Sequence, residues 1–407
     1  MDFDVHYTVE QEAFRKEVKN WLEVNVPKDL IDPVDNMDLV ENTEEIYTRG
    51  MAFRRMLGEK GWLAPAYPKQ YGGGGYSVDQ QMVIAEELAE YDLPGIALGD
   101  TGTGIGGAAV MVWGTEEQKQ RFLPPILKGE VVTWQVFTEP NAGSDLASMQ
   151  TTAIREGDEF VFNGSKHFVG QPHRPDFLYA LAVTDPTAPR HQNIGAFMVP
   201  VETAGVTLGY MDLIGGGGKR TVFFDNARVS ATQLIGGDRD GWKVAQATLE
   251  LEHGGSGRLL DRDNFLGKMI EYCKTTKYNG ESISSDPEYQ DYILEAYIGY
   301  QTNRLLGLRN YWMRSAHKRF AYEGSQYSMN RKTYGPKLAE LMLKTIGPQV
   351  LVTRKDPKWT LDSGKFENYQ RQSIVTPHPG GTLEVQKLIV ARRLGVSRTR
   401  EEGKDYF

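Results

Sequence analysis

The sequence predicts an α+β protein made of three successive segments: helical at residues 1–130, β at 131–240, and helical again at 241–407. Two observations predict this order. Apolar residues recur at helical spacing in the outer segments, whereas short runs of β-branched and aromatic residues, separated by turn signals, fill the middle one. A chain of 407 residues is long for a single hydrophobic core, so we expect two or three domains.

Helix signals are clear in the first segment. Thr115 and Gln118 form a capping-box pattern, which predicts a helix start. We expect this helix to end before Pro124-Pro125, because the residue ahead of a proline disfavours helical geometry. The glycine-rich stretch at residues 99–107 lacks the Lys-Ser/Thr ending of a phosphate-binding P-loop and follows no clear strand. We therefore interpret it as a place of close helix packing.

Asn163-Gly164 is the strongest turn signal of the middle segment. It separates two strand-like runs, residues 159–162 and 165–169, and is typical of a type I′ hairpin. Short strands like these predict a small β-barrel or sandwich. Further strands are predicted at residues 177–183, 194–201 and 221–224.

The last segment returns to helical periodicity. Leu294, Ile298 and Leu305 mark one long helix, and two more are predicted at residues 337–346 and 384–393. The final helix follows two glycines, with Thr382 as its predicted N-cap. A Gly-Gly step before a capped helix leaves backbone N–H groups free and lets a ligand approach closely.

Composition narrows the class of function. The net charge is −8 and no long basic run is present, so nucleic acid is not an expected partner. No apolar run approaches the roughly 18 residues of a membrane span, and the acidic start of the chain does not resemble a signal peptide. The single cysteine, Cys273, excludes an internal disulfide and a cysteine-based metal cluster, and no metal site is predicted. We expect a cytoplasmic protein.

Three motifs carry a family resemblance in combination. They are TEPNAGSD at residues 138–145, NGSKHFV at 163–169 and GGTLEVQKLIVARRLG at 380–395. Small and hydroxyl residues at the junction of the first two segments suit a planar or phosphorylated ligand. In an α–β–α chain of this length, the three motifs resemble the acyl-CoA dehydrogenase family, and the resemblance covers nearly the whole chain.

The resemblance implies a fold, a cofactor and an activity. The C-terminal segment would be a four-helix bundle, FAD would lie between it and the middle domain, and the protein would be a homotetramer, a dimer of dimers. A carboxylate would remove the α-proton of an acyl-CoA thioester while the β-hydrogen leaves as hydride to flavin N5. An electron-transferring flavoprotein would reoxidise the flavin.

The usual base of the family is missing from the final loop. Many members have Tyr-Glu-Gly-Thr there, and the position of that glutamate is taken here by Gly380. In isovaleryl-CoA dehydrogenase-like and long-chain members the base lies in a Glu-Arg step on the first long C-terminal helix, which matches Glu252 and His253. The resemblance thus implies that Glu252 is the base and that the backbone N–H of Gly380 donates to the thioester oxygen. Glu250 lies about 200° away around a helix, so only one of the two glutamates can face the flavin.

The resemblance also assigns binding residues. The FAD contacts fall on Gln135, Phe137, Thr138, Phe168, Gly170, Gly381, Thr382 and Glu384. Ser144 matches a position that touches the acyl-CoA, and His253 stands where an arginine helps to place CoA. In the family, two segments contact FAD across a subunit interface. The matching segments here, residues 277–280 and 344–348, depart from the family pattern. The resemblance therefore does not assign the residues that would hold the pyrophosphate of FAD.

The substrate and two alternatives stay open at this point. The position of Glu252 and the small residues at 254–257 suit a branched, cyclic or otherwise bulky acyl group by analogy. One alternative is a flavin oxidase or monooxygenase of the same fold. The other is a non-catalytic or FAD-sharing subunit of a mixed oligomer, which the altered inter-subunit segments favour.

Overall fold

The computed structural model describes residues 7–30, 44–91, 93, 95–98, 102–170, 173–215, 219–250 and 264–399. These residues divide into two compact units. The first reaches to Glu250 but leaves out Ile214 and Gly215; the second contains those two residues and the chain from Asn264 onward. Each unit has a hydrophobic core of its own.

Helices occupy the start of the first unit. Those in the described part of residues 1–130 are α1 (Val9–Asn25), α2 (Glu44–Glu59), α3 (Val78–Leu88), α4 (Gly95–Leu98), α5 (Gly107–Trp113) and α6 (Glu116–Leu127). A π-helical turn, Gly102–Gly106, precedes α5. A Cβ atom on Gly106 would lie 3.4 Å from Thr133 Cγ2, and one on Gly107 would lie 2.8 Å from the carbonyl oxygen of Gly102. The backbone is therefore closely packed at Gly106 and Gly107, whereas nothing lies within 4 Å of the Cβ position of Gly104, and residues 99–101 lie outside the described residues.

The predicted capping box opens α6. Thr115 Oγ1 accepts from the N–H of Gln118 at 3.2 Å, and Gln118 Oε1 accepts from the N–H of Thr115 at 3.0 Å. The side-chain amide of Gln118 also donates to the carbonyl oxygens of Thr232 and Leu234, at 3.0 and 2.7 Å. One side chain thus caps the helix and attaches it to the far end of the middle segment.

The predicted end of α6 is wrong, because the helix continues through Pro124-Pro125 to Leu127. The prolines remove the N–H donors for the carbonyls of Gln120 and Arg121, but both residues are exposed, so water can take the place of the donors. A proline inside a helix costs about 3 kcal/mol, whereas burying one large apolar side chain gains about 1.5–3 kcal/mol. Burial of four apolar side chains by α6 therefore offsets the cost of its prolines. These side chains are Phe122, Leu123, Ile126 and Leu127.

An eight-stranded sheet forms the middle of the chain. Its strands are β1 (Thr133–Val136), β2 (Thr152–Glu156), β3 (Glu159–Val169), β4 (Phe177–Val183), β5 (Ile194–Pro200), β6 (Val206–Met211), β7 (Lys219–Ser230) and β8 (Leu234–Ile235). The order is β6-β7-β3-β2-β4-β5-β8, and β1 pairs with β4 in parallel. Alternate residues of β4 enter different cores, so the sheet is covered on both faces. Helix α7 (Gly241–Glu250) follows β8 and contributes Val244 and Ala245 to the core that α5 and α6 share.

The Asn163-Gly164 hairpin is also wrong. Both residues lie inside the continuous strand β3, and the turn into that strand comes earlier, at Gly157-Asp158. The pairing of β3 with β7 shifts register across Asn163, as in a β-bulge. Gly164 has φ +141°, and a Cβ atom there would lie 2.5 Å from Thr151 Oγ1. The glycine therefore serves close contact within the sheet and not chain reversal.

Helices dominate the second unit. They are α8 (Asn264–Thr275), α9 (Pro287–Ser315), α10 (Glu323–Ile346), α11 (Lys365–Val375) and α12 (Leu383–Arg393), and a short hairpin of β9 (Lys277–Tyr278) and β10 (Glu281–Ser282) follows α8. The three helices predicted from periodicity correspond to α9, the end of α10 and α12. Asn279 and Gly280, with φ +52° and +89°, make the turn of the hairpin.

The predicted order of helical, β and helical segments is confirmed. None of the helices in the described residues is both long and apolar enough to cross a membrane. Nor does the described part of the chain bring together three or more His, Cys, Asp or Glu side chains in a way that suits a metal ion.

Candidate functional site

A buried ion pair lies beneath the loop that follows β1. The carboxylate of Glu139 accepts hydrogen bonds from Lys166 Nζ at 2.7 Å and from the N–H groups of Gln150 and Thr151 at 2.6 and 3.0 Å. The side chain of Lys166 is fully buried, and that of Glu139 is 6% exposed. All three donors satisfy a carboxylate that has lost its water, as a buried charge requires.

The electrostatics of this pair follow from burial and attraction. Burial by itself would raise the pKa of Glu139, but attraction to Lys166 and the hydrogen bonds from Lys166, Gln150 and Thr151 outweigh it, so the pKa is lowered. Burial lowers the pKa of the Lys166 ammonium, and attraction to Glu139 only partly opposes this.

The ion pair connects two segments that were predicted to bind flavin. Lys166 Nζ also donates to the carbonyl oxygen of Phe137 at 3.2 Å, and the N–H of His167 donates to the carbonyl oxygen of Thr138 at 2.8 Å. The segment after β1 and the end of β3 are therefore fixed side by side. The sequence motif contains Glu139, but nothing in the sequence indicated that Lys166 is its partner.

An exposed aromatic ring marks the end of β3. Phe168 adopts φ +56°, a strained value for a residue with a large side chain, and its side chain is 55% exposed. The strand bulges here, since its register against β7 shifts between Lys166 and Val169. Strain and exposure of a large apolar ring in one residue are typical of a ligand-binding position.

Gly170 lies against the ring of Trp134. It has φ +70°, and a Cβ atom at this position would lie 2.4 Å from the indole ring. Its carbonyl oxygen accepts from Lys219 Nζ at 3.0 Å. The indole occupies the space that a side chain would need, so glycine is the residue that fits at this position.

We expect Gly170→Thr to destabilise the first unit by about 2–6 kcal/mol, because a β-branched residue at positive φ adds about 1–3 kcal/mol of strain to overpacking of about 1–3 kcal/mol. Urea unfolding of the purified variant measures this loss. Gly157→Thr is the matched control, since Gly157 also has positive φ but nothing lies within 4 Å of its Cβ position. Equal losses in the two variants would show that contact with Trp134 is unimportant.

The other predicted binding residues of the first unit differ in how far their side chains are buried. Gln135 lies in β1 opposite Tyr179 and is partly buried. Phe137 is buried, and its ring centroid is 5.0 Å from that of Tyr179 in an edge-to-face contact, so a ligand would meet mainly its backbone. Ser144 is exposed, beside an ion pair between Asp145 and Arg190.

Two glycines in the left-handed region form the predicted loop of the second unit. Gly380 and Gly381 have φ +65° and +71°. Thr382 caps α12 as predicted, since its hydroxyl oxygen accepts from the N–H of Val385 at 3.2 Å, and Glu384 is exposed in the first turn. Among the described residues, we find no acceptor for the N–H groups of Gly380 and Gly381.

Two side chains hold this loop from within the second unit. Lys332, on α10, is buried, and its Nζ donates to the carbonyl oxygens of Pro379 and Thr376 at 2.5 and 3.3 Å. Gln386, on α12, is fully buried, and its Nε2 donates to the carbonyl oxygen of Gly380 at 2.9 Å. Sequence reasoning missed both residues.

Glu252 and His253, the predicted base and CoA contact, lie outside the described residues, as do residues 254–257. Within the first unit the structure brings together Thr138, Phe168 and Gly170 through the neighbouring β1 and β3 segments. Within the second unit it brings together Gly380 and the capped start of α12.

Taken separately, each of these groups offers chemistry that suits a part of a flavin nucleotide. Phe168 offers an exposed aromatic face to a planar ring system. Gly380 and Gly381 offer backbone N–H groups at the N-terminus of an eleven-residue helix, where the helix dipole favours anions.

Comparison with known proteins gives consistent matches along the chain. Three family models match: "Acyl-CoA dehydrogenase, N-terminal domain" at residues 8–130, "Acyl-CoA dehydrogenase, middle domain" at 135–227, and "Acyl-CoA dehydrogenase, C-terminal domain" at 239–395. The chain is 29% identical to "Acyl-CoA dehydrogenase IpdE1" of Mycobacterium tuberculosis, over 95% of this chain and 98% of that protein.

Solved structures show the same architecture. "Tcur3481-Tcur3483 steroid ACAD" matches with a TM-score of 0.83 and 26% identity, over 98% of this chain and 100% of that one. Butyryl-CoA dehydrogenase from Megasphaera elsdenii matches with a TM-score of 0.76 over 97% of this chain and 100% of that one. At 22% identity the second likeness shows the fold alone. The predicted fold class is confirmed.

Proposed function

Because this chain belongs to the acyl-CoA dehydrogenase family and is an oxidoreductase of that type, we propose that it uses FAD to convert an acyl-CoA thioester to the enoyl-CoA. One observation carries the proposal beyond family membership. The N–H groups of Gly380 and Gly381 have no acceptor within the described part of the chain, and residues 379–382 include no acid or base. Such a loop suits binding of a carbonyl oxygen, with proton removal performed by a residue elsewhere.

The chemistry explains why both parts are needed. The α-proton of a thioester is too weakly acidic for a carboxylate in water, so the site must stabilise the negative charge that develops on the carbonyl oxygen. The N–H of Gly380 is the donor we propose for that oxygen. Glu252 is the base we propose for the α-proton, and removing it from water would raise its pKa toward the working pH. The chemistry that FAD would supply, when bound, is acceptance of the β-hydrogen as hydride.

The cofactor and substrate contacts follow from the same assignment. We propose that FAD is held by Gln135, Phe137, Thr138, Phe168, Gly170, Gly381, Thr382 and Glu384. Phe168 would cover the flavin ring, and the start of α12 would receive its polar groups. Ser144 and His253 would contact the acyl-CoA.

A branched or cyclic acyl group is the substrate class that we propose. The relative named "Tcur3481-Tcur3483 steroid ACAD" and a variant of it are 26% and 27% identical to this chain over nearly its whole length. The absence of a side chain at Gly380 supports the same idea, since it leaves space beside the reacting carbons that a glutamate would fill.

An absorbance spectrum is the first test. We expect the purified protein to show a flavin spectrum at near one FAD per chain, and we expect anaerobic bleaching by cyclic or branched acyl-CoA thioesters to exceed that by straight-chain ones. Faster bleaching by a straight-chain thioester would contradict the substrate class. A flavin that no acyl-CoA bleaches would contradict the proposed reaction.

Assembly with other chains is a separate part of the proposal. Leu294, Ile298, Leu305 and Trp312 of α9 are each more than 40% exposed, and the last three recur at every seventh residue, as in a helix–helix seam. We propose that other copies of this chain cover α9 in a homotetramer and that an electron-transferring flavoprotein reoxidises the flavin.

A mixed oligomer is the second candidate. The paired name "Tcur3481-Tcur3483" favours it, as do the altered segments at residues 277–280 and 344–348. In that case the purified chain would be colourless and would not take up added FAD without a partner chain.

A further inference from the structure

We propose that Lys332 and Gln386 are positioning residues that set the direction of the Gly380 and Gly381 N–H groups. This inference rests on the carbonyl-binding role proposed for Gly380. It assigns a role to two side chains that donate to carbonyl oxygens of the loop. The proposed function gives neither of them a role.

Peptide geometry supplies the link. In a planar trans peptide the carbonyl and the following N–H point in opposite directions. The Pro379 carbonyl is turned toward Lys332 Nζ at 2.5 Å, so the N–H of Gly380 points away from Lys332. The Gly380 carbonyl is turned toward Gln386 Nε2 at 2.9 Å, so the N–H of Gly381 points away from Gln386. Two buried donors therefore fix two consecutive peptide planes.

Glycines make such control necessary. Gly380 and Gly381 have no side chains to anchor them, and glycine reaches both signs of φ at little cost. A rotated peptide would present a carbonyl oxygen, and not an N–H, to the negative charge of the transition state. The loop would then repel the charge that it is proposed to stabilise.

The charge of Lys332 has a second effect. A buried ammonium group needs good acceptors, and here it has two loop carbonyls. A cation bound to a carbonyl polarises that peptide, so the Gly380 N–H becomes a stronger donor. Lys332 would thus both aim and strengthen the hydrogen bond to the thioester oxygen.

Lys332→Met removes the ammonium group but keeps a long apolar side chain. We expect the limiting rate of flavin reduction by acyl-CoA to fall about 10- to 100-fold, because loss of a complete oxyanion donor lowers kcat about 10²- to 10³-fold. We expect the KM for acyl-CoA to change less than about threefold, since uniform binding is not altered. The control is Lys337→Met on the same helix, a partly exposed lysine paired with Glu295 and Glu340, and we expect it to retain the wild-type rate.

A spectroscopic measurement separates aiming of the N–H from simple support of the loop. The thioester carbonyl band of bound, isotope-labelled enoyl-CoA product should lie at higher infrared frequency in Lys332→Met than in the wild type, because its hydrogen bond is weaker. Lys332→Arg, which keeps the charge and donors, should return the band toward the wild-type value. An unchanged band in Lys332→Met would overturn the inference.

A crystal structure of Lys332→Met tests the inference without activity. We expect the Pro379–Gly380 peptide to be rotated, and an unrotated peptide would overturn the inference even if the enzyme is active. If no acyl-CoA reduces the wild-type flavin, the proposed function is rejected. The crystal structure of Lys332→Met still tests the positioning role of Lys332 by itself. If Lys332→Met does not fold, a structure of Gln386→Leu gives the same test for the Gly380–Gly381 peptide.

Discussion

Glu252→Gln is expected to slow flavin reduction by acyl-CoA by about 10²- to 10⁴-fold, the usual contribution of a general base. Glutamine has nearly the same size and polarity but cannot take up the α-proton. We expect the amount of bound FAD to stay near the wild-type level, because the change concerns proton transfer. Anaerobic stopped-flow absorbance with a saturating acyl-CoA measures the rate directly.

Two further variants make this test specific. Glu250→Gln is the matched control, because two positions along an ideal helix point about 200° apart, and we expect this variant to keep the wild-type rate. Gly380→Glu, added to Glu252→Gln, should restore part of the activity if both positions reach the same proton. Full activity of Glu252→Gln alone would reject the assignment of the base.

Glu139→Gln is expected to lower the free energy of unfolding of the first unit by about 3–5 kcal/mol, because it leaves the buried Lys166 ammonium without its counter-charge. The same change should loosen FAD, since Lys166 also holds the Phe137 carbonyl next to the proposed flavin-binding segments. Urea unfolding and the FAD content after gel filtration measure the two effects.

The controls for this change use the same sheet. Glu156→Gln removes an exposed carboxylate that pairs with Arg228, and it should lower the free energy of unfolding by about 1 kcal/mol at most. A double variant, Glu139→Met with Lys166→Met, should be less destabilised than Glu139→Gln because no unpaired charge remains. Equal stability of Glu139→Gln and the wild type would contradict the role of the pair.

The pH dependence of the wild type should carry the signature of Glu139. Its pKa is lowered in the folded protein, so its contribution to stability is present above the ordinary glutamate pKa of about 4.3 and is lost as the pH falls through the lower folded value. Glu139→Gln should therefore show a weaker loss of stability in this acid range. Unfolding midpoints measured from about pH 7 downward test the sign.

Local patterns in the sequence predicted most elements but not every turn. Asn163-Gly164 and Asn279-Gly280 are the same dipeptide, yet only the second makes a hairpin. Both need the backbone freedom of glycine. What distinguishes them is the surroundings: β3 continues along β7, and Thr151 fills the space beside Gly164. Such contacts are not visible in a short stretch of sequence.

The parts of the site that short sequence motifs encode could be predicted. The parts that depend on contacts between residues far apart in the sequence could not. The Thr382 cap and the glycines before it could be predicted because capping and positive φ are local properties. Lys332 could not, since it binds carbonyls 44 and 47 residues further along the chain and any residue type has a carbonyl. The assignment of Glu252 stays a prediction.

The attachment of α6 to β8 through Gln118 has a consequence for synthesis. The partners of its side-chain amide, Thr232 and Leu234, are 114 and 116 residues downstream. At about 5–20 residues per second, a ribosome needs roughly 6–23 s to make that stretch. Throughout that interval α6 lacks this attachment to the far end of the middle segment, and a nascent-chain chaperone has a defined window in which to bind.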